Sequence, residues 1–286
     1  MYMYLFAVLY NVHAYNDNTH AKHIAYAFAL VGEPNNEQVY THLAAIDLLR
    51  KSGSSLNILS VQTINNIKGL DKALVNLKAT RYIVDKNLTC NCKQSLFSRL
   101  VRNYRFAFSC HILNIWKMTS YKKILYMDGD LAVLQNPDKM FIQWWKKNTT
   151  ELRTPQACNA YTGNDYNTGI WGITPSLDIF DGMKNWLHTA NYPCGIGSQT
   201  WVNILFTNHT YSNASLLWNM KADQGIKSCL TRYKLQHRQP HIVHWSGDRK
   251  PVKGLIPYDN FEALALVLYL DAVNYWRRFI DNYNIY

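Results

Sequence analysis

The sequence predicts an α/β fold, a nucleotide-binding type of mixed sheet flanked by helices and formed as one domain. Three observations predict it. The chain opens on a strand–helix–strand pattern. An apolar run of strand length then stops at two carboxylates one residue apart, Asp128 and Asp130. No internal repeat, low-complexity tract or linker divides the 286 residues. A chain of this length can bury a sizeable core. The carboxyl end of a buried strand is where open α/β sheets bind ligands.

Each element has its own signal. Ile24 to Leu30 is apolar and rich in aromatics, and Gly32 and Pro34 end it. Val39, Leu43, Ile46 and Leu49 recur near helical spacing, and Gly53 follows as a stop. Leu56 to Val61 completes the strand–helix–strand unit. Arg81 to Val84 reads as a third, short strand, and Phe106 to Met118 as a helix leading into the strand that ends at Asp128. Asn136-Pro137 closes the following strand, and Asp138 to Trp145 reads as a short helix. Asn167 to Thr174 is a further strand, stopped by Pro175. Leu177 to Thr189 and Ser198 to Thr207 read as amphipathic helices, His241 to Trp245 as a late strand, and Phe261 to Ile280 as a terminal helix with a large apolar face. The apolar start, Tyr2 to Tyr10, is too short to span a membrane and lacks the positive flank of a signal peptide; it reads as an extra strand, with a remnant of an anchor or a sticky arm as the alternatives.

Composition narrows the function. Hydrophobic content of 48% and charged content of 17% describe a globular chain, not a disordered one. Lys+Arg 30 against Asp+Glu 19 leaves a formal charge of +11, which favours an anionic partner such as a nucleotide diphosphate. The basic residues are scattered, in pairs such as Lys122-Lys123 and Arg277-Arg278, which argues against nucleic acid. The six cysteines stand in no metal-knuckle spacing, which argues against zinc; their even number permits disulfides without requiring them.

The carboxylate pair carries the chemistry. In extended chain, residues i and i+2 point to one side, so Asp128 and Asp130 can converge on one cation. Alone, the pair also fits a solvated turn, or the nucleophile motif of a phosphotransferase resembling the haloacid dehalogenases. That second reading expects the motif near the start and a late acidic pair, whereas here a complete strand–helix–strand unit precedes it and no late Asp-Asp follows. A third reading has the pair hold a divalent ion against the diphosphate of a nucleotide sugar. Ile242-Val243-His244-Trp245-Ser246-Gly247-Asp248-Arg249-Lys250 supplies what it needs. His244 at a strand end completes a mixed oxygen and nitrogen site. Gly247 lets backbone approach a phosphate, and Lys250 is a point charge for a phosphate oxygen.

Four blocks, from about Ile24 to Lys250, resemble the glycogenin-like retaining glycosyltransferases of glycosyltransferase family 8. They are Ala25 to Leu30 with Val39-Tyr40; Leu113 to Trp116 leading into Asp128-Gly129-Asp130; Tyr166-Asn167-Thr168-Gly169-Ile170; and His244-x-x-Gly247-x-x-Lys250-Pro251. The resemblance implies a single-domain GT-A fold, a Rossmann-like mixed sheet flanked by helices, over residues 23–255. Residues 1–22 would be an N-terminal extension, and 256–286 a helical segment packed on the same domain. It implies Mn²⁺, with Mg²⁺ as an alternative, held by Asp128, Asp130 and His244. It implies a uridine held near Leu30, with Tyr40 packed on the base and Gly129 at the ribose. The diphosphate would lie on Gly247 and Lys250. The sugar would meet Asn167, Thr168, Gly169, Ser198 and Gln199, with Gln199, Asn167 and Lys250 assisting transfer to the attacking acceptor hydroxyl. The implied partners are a UDP-sugar donor and a glycan, protein or small-molecule acceptor, with homodimerisation and peripheral membrane contact as further expectations. A cytoplasmic location is favoured over the secretory lumen. The sequence departs from the family at three places: a family basic residue falls on Ile112, and acidic ones fall on Gly195 and Ser198. The departures leave the metal and diphosphate half intact and affect the sugar half.

Overall fold

In the computed structural model the described residues are 22–32, 34–63, 67–85, 88, 109–155, 166–190, 198–206, 211–222, 226, 230, 238–245, 251, 257 and 260–282. They begin with strand β1 (Ile24–Leu30), helix α1 (Asn36–Lys51) and strand β2 (Asn57–Gln62). Asn35 caps α1 in a reciprocal box: its side chain accepts from the Gln38 amide at 2.9 Å, and the Gln38 side chain accepts from the Asn35 amide at 2.8 Å. Helix α2 (Leu70–Asn76) and strand β3 (Ala79–Ile83) follow, then a 3₁₀ segment Ser109–Lys117 and strand β4 (Lys123–Met127). Next come β5 (Leu131–Val133), α3 (Asp138–Trp145), β6 (Glu151–Pro155), β7 (Tyr166–Ile173), α4 (Leu177–Thr189) and α5 (Ser198–Leu205). Strands β8 (Tyr211–Asn213), β9 (Met220–Lys221) and β10 (Ile242–His244) precede the long helix α6 (Asn260–Asp281).

The main sheet runs β3-β2-β1-β4-β7-β6-β8, and a smaller one runs β5-β10-β9. Strands β1, β2, β3 and β4 are mutually parallel where they pair, while β7 lies antiparallel to β4. The chain moves outward from β1 through β2 to β3, then returns to the other side of β1 with β4. The crevice at the carboxyl ends of β1 and β4 is therefore the topological switch point of the sheet. Strand β1 is buried on both faces and alternates between two cores. Ile24, Tyr26 and Phe28 join the face covered by α1, α3 and α6, while Ala25 and Ala27 join the face with Trp116, Trp171 and Trp201.

Polar groups tie the layers. Tyr26 and Ser54 both donate to Asp138 Oδ1, at 2.8 and 2.7 Å, fastening the start of α3 to β1. Lys123, half of a basic pair in the sequence, is 8% exposed. Its ammonium donates to the carbonyls of Trp144, Lys147 and Thr149 at 3.3, 2.8 and 2.9 Å, above the Trp144 ring. Cys110 is disulfide-bonded, its partner lying outside the described residues. Helix α6 packs along α1 and contributes Ala265, Tyr269, Val273 and Trp276 to the core under it. Among the described residues, no helix is long and apolar enough to cross a membrane.

The structure refines several expectations. The helix predicted over Phe106 to Met118 is a 3₁₀ segment where it is described. The Asn114 side chain donates to the His111 carbonyl at 3.0 Å, a bond local to that tighter winding. The third strand begins two residues earlier than predicted, at Ala79. Strand β6 has no apolar run of its own and exists through its pairing with β7. The two approach closely at Gly172, where a Cβ would collide with Leu152 and Trp144. The strand predicted over Tyr2 to Tyr10 lies outside the described residues.

His42, on α1, is buried beneath the switch point, with Nε2 2.7 Å from Ser60 Oγ. Burial pushes its imidazole down to about 3, so the folded protein keeps it neutral where the unfolded chain, near 6.5, takes up a proton. Stability is complete above about pH 6.5 and falls with acid through the window down to about 3. In urea titrations between pH 6.5 and 4.5, the wild type loses stability faster than His42→Gln, by up to about 1.4 kcal/mol per pH unit. Parallel pH profiles for the two proteins would refute this role.

Candidate metal centre

Strand β4 is buried along its whole length, and Asp128 leaves its carboxyl end at the switch point. The Asp128 amide donates to the Gly169 carbonyl of β7 at 2.8 Å, continuing the pairing one residue past the strand. Tyr126, two residues earlier and so on the same side, donates its hydroxyl to Asp128 Oδ1 at 2.5 Å. Burial and then the neighbouring Asp128 carboxylate hold that phenol well above its ordinary value, so it serves as a donor. The chain then turns through Gly129, whose carbonyl accepts from the Tyr269 hydroxyl of α6. A Cβ at Gly129 would rest 3.5 Å from the His42 backbone, an ordinary contact. Asp130 follows, and its carbonyl accepts from the Trp245 amide at 3.2 Å.

His244 arrives from the far end of the chain. Strand β10 pairs antiparallel with β5, setting His244 opposite Leu131, the residue after Asp130. Its Nε2 stands 3.4 Å from Asp130 Oδ1 and 3.8 Å from Asp128 Oδ2. One donor atom from each of the three side chains lies within 4.8 Å of the others. Donors sharing an ion at about 2.1 Å stand roughly 3–4 Å apart. The imidazole is 1% exposed, and its other nitrogen, Nδ1, lies 2.9 Å from Asn219 Oδ1. Two carboxylate oxygens and one imidazole nitrogen held on its far side make a donor set that fits a divalent ion such as Mn²⁺ or Mg²⁺.

Beside this cluster, β7 carries Asn167, Thr168 and Gly169, and α5 carries Ser198 and Gln199 at its start. Asn167 Nδ2 donates to Gln199 Oε1 at 3.3 Å, and Thr168 Oγ1 pairs with Ser198 Oγ at 2.9 Å. Gly169 is required by space: a Cβ there would collide with the His244 ring and crowd Asn167 Oδ1 at 2.8 Å. Asn167 and Gln199 thus reach the metal cluster through Asn219, which donates to Asn167 Oδ1 at 3.2 Å.

The remaining sequence-predicted residues divide. Leu30 ends β1 at the switch point, 4% exposed. Tyr40, expected to pack on a base, is 6% exposed and lies against α6. Its hydroxyl donates to Asp281 at 2.7 Å, and the Arg277 guanidinium covers its ring at 5.6 Å. These contacts are part of the docking of α6 on α1. Gly247 and Lys250 lie outside the described residues, as does Gly195. Three residues of the site escaped the sequence reading. Tyr126 was legible as two residues before Asp128; Asn219 and Tyr269 had no spacing to mark them.

No protein-family model matches the chain. Glycogenin-1 of Caenorhabditis elegans is 24% identical over 146 residues, 50% of this chain and 32% of that protein. Glycogenin-1 of Oryctolagus cuniculus is 24% identical over 183 residues, 61% of this chain and 51% of that protein. The chain thus spans about a third to a half of the length of these relatives. Among solved structures, the glycosyltransferase GlyE of Streptococcus pneumoniae superimposes with a TM-score of 0.57 at 16% identity, over 89% of this chain and 63% of that one. The galactosyltransferase LgtC, solved with donor and acceptor sugar analogs, superimposes with a TM-score of 0.58 at 14% identity, over 88% of this chain and 95% of that one. In sequence the chain is thus similar to the glycogenins, and its architecture is the GT-A fold of these glycosyltransferase structures.

Proposed function

We propose that the chain is a metal-dependent glycosyltransferase that moves a hexose or pentose from a UDP-sugar to an acceptor hydroxyl with retention of configuration. One observation carries this reading: Asp128, Asp130 and His244, from segments more than a hundred residues apart in sequence, offer converging donor atoms at the switch point of the sheet. The relatives named glycogenin and the LgtC structure with donor and acceptor sugar analogs support it. When bound there, Mn²⁺ supplies Lewis-acid stabilisation to the charge of a leaving diphosphate.

The chain's own residues have separate tasks in this reading. The Tyr126 hydroxyl orients the Asp128 carboxylate, and Asn219 orients His244. Leu30 and Gly129, at the tips of neighbouring segments, border the nucleoside. Gly247 and Lys250 hold the diphosphate and stabilise the charge that develops on it. Asn167 and Gln199 line the sugar, on the side of β7 and α5. Ser198, where an acidic residue is expected, faces Thr168 as a hydroxyl pair. That pair replaces a carboxylate with neutral donors and acceptors. It favours a second reading, a nucleotide-sugar-binding protein of weak catalytic power.

A donor panel separates the two. Mn²⁺-dependent release of UDP from at least one UDP-sugar is the expected result; tight UDP binding with no turnover of any donor favours the second reading. Asp130→Asn abolishes Mn²⁺-dependent turnover while leaving the thermal unfolding transition in place, and full activity in that variant would sink the assignment. Gly169→Ala drives a methyl group into His244 and weakens Mn²⁺ binding by about tenfold or more, measured by equilibrium titration of the metal. Unchanged affinity would show that His244 is not a ligand.

A further inference from the structure

The His244, Asn219, Asn167 and Gln199 side chains form one hydrogen-bonded line, and its direction is set by a single backbone group. The Gly169 amide donates to Asn167 Oδ1 at 2.9 Å. A backbone N–H can only donate, so this atom of Asn167 is the carbonyl oxygen. Asn219 approaches the same oxygen at 3.2 Å and must therefore offer its Nδ2. Its Oδ1 is then the atom 2.9 Å from His244 Nδ1, which must carry the proton. In the other direction, Asn167 presents Nδ2 to Gln199 at 3.3 Å, so Gln199 accepts through Oε1. All four side chains are buried, at 1%, 0%, 7% and 8% exposure from His244 to Gln199. Reversing any amide would set like against like, oxygen against oxygen or N–H against N–H, in a buried setting.

We propose that Asn219 is a positioning residue with two effects. It locks His244 in the tautomer with Nδ1 protonated, so that the lone pair of Nε2 faces Asp128 and Asp130. It also transmits that order through Asn167 to Gln199, making the metal ligand and the Gln199 region one unit. The inference rests on the reading of Asp128, Asp130 and His244 as a metal site, and it adds a residue hydrogen-bonded to the ring nitrogen of His244 that faces away from the carboxylates.

Two variants separate the effects. Asn219→Leu keeps the volume and removes both donor and acceptor. Asn219→Asp keeps an acceptor for Nδ1–H and removes the donor to Asn167. Nitrogen-15 NMR of labelled histidine reports the His244 tautomer without metal, and the electron paramagnetic resonance signal of free Mn²⁺ reports affinity. The wild type shows His244 protonated at Nδ1. Asn219→Leu loses that preference and binds Mn²⁺ about 10–100-fold more weakly. Asn219→Asp keeps the tautomer and binds Mn²⁺ at least as well as wild type, because a carboxylate behind an imidazole raises its basicity. Its kcat for UDP release nonetheless falls with little change in donor KM. A wild-type His244 protonated at Nε2, or a folded Asn219→Leu with wild-type Mn²⁺ affinity, would overturn the inference. Should Asn219→Leu fail to fold, the wild-type tautomer and the Asn219→Asp split still decide it. A wild type that shows the Nδ1 tautomer but binds no Mn²⁺ would instead defeat the metal reading and leave the hydrogen-bonded line standing.

Discussion

His244 meets the two carboxylates because Ile242–His244 pairs antiparallel with Leu131–Val133. That ladder is short, and everything at the site depends on its register. A slip of one residue would turn the imidazole to the opposite face of the strand. Two further contacts hold it: the Trp245 amide on the Asp130 carbonyl, and the Ala222 amide on the His244 carbonyl, at 3.2 and 3.1 Å. Space holds it as well, since Gly169 has no Cβ where the His244 ring lies. Close packing with directional hydrogen bonds gives the imidazole one position and one tautomer, which is what an ion-binding nitrogen requires.

The second dependence runs through the terminal helix. Helix α6 covers α1, takes up Tyr40 through Asp281 and Arg277, and sends the Tyr269 hydroxyl to the Gly129 carbonyl between the two carboxylates. The loop that presents Asp128 and Asp130 is thus braced from strand β7 on one side and from α6 on the other. A long helix that sequence periodicity marks only as core packing contributes directly to the geometry of the site. The same docking buries most of Tyr40.

Much of the fold was legible locally. Strand β1, helix α3 and helix α4 stand at the predicted residues, because an uninterrupted apolar run or a helical period with clear stops specifies each. What was missed is short or borrowed. Strands β6, β8 and β9 lack an apolar pattern of their own and form by pairing with neighbours. The burial of Lys123 was not legible because nothing near it in sequence announces three carbonyls from the end of α3 and the turn after it. Asn219 was not assigned to the site because its partners, His244 and Asn167, lie 25 and 52 residues away.

By itself the sequence determined the α/β class, the strand that delivers Asp128 to its carboxyl end, and the three side chains, Asp128, Asp130 and His244, that could hold a metal ion. These follow from local spacing: the apolar run, the Asp-x-Asp triplet, and a histidine after two β-branched residues. Only the tertiary structure decided that the three converge. It also decided which nitrogen of His244 faces the carboxylates, which amides order it, and that Tyr40 is claimed by α6. Convergence and hydrogen-bond direction are relations between segments brought together by sheet register and helix docking, and no local pattern encodes them.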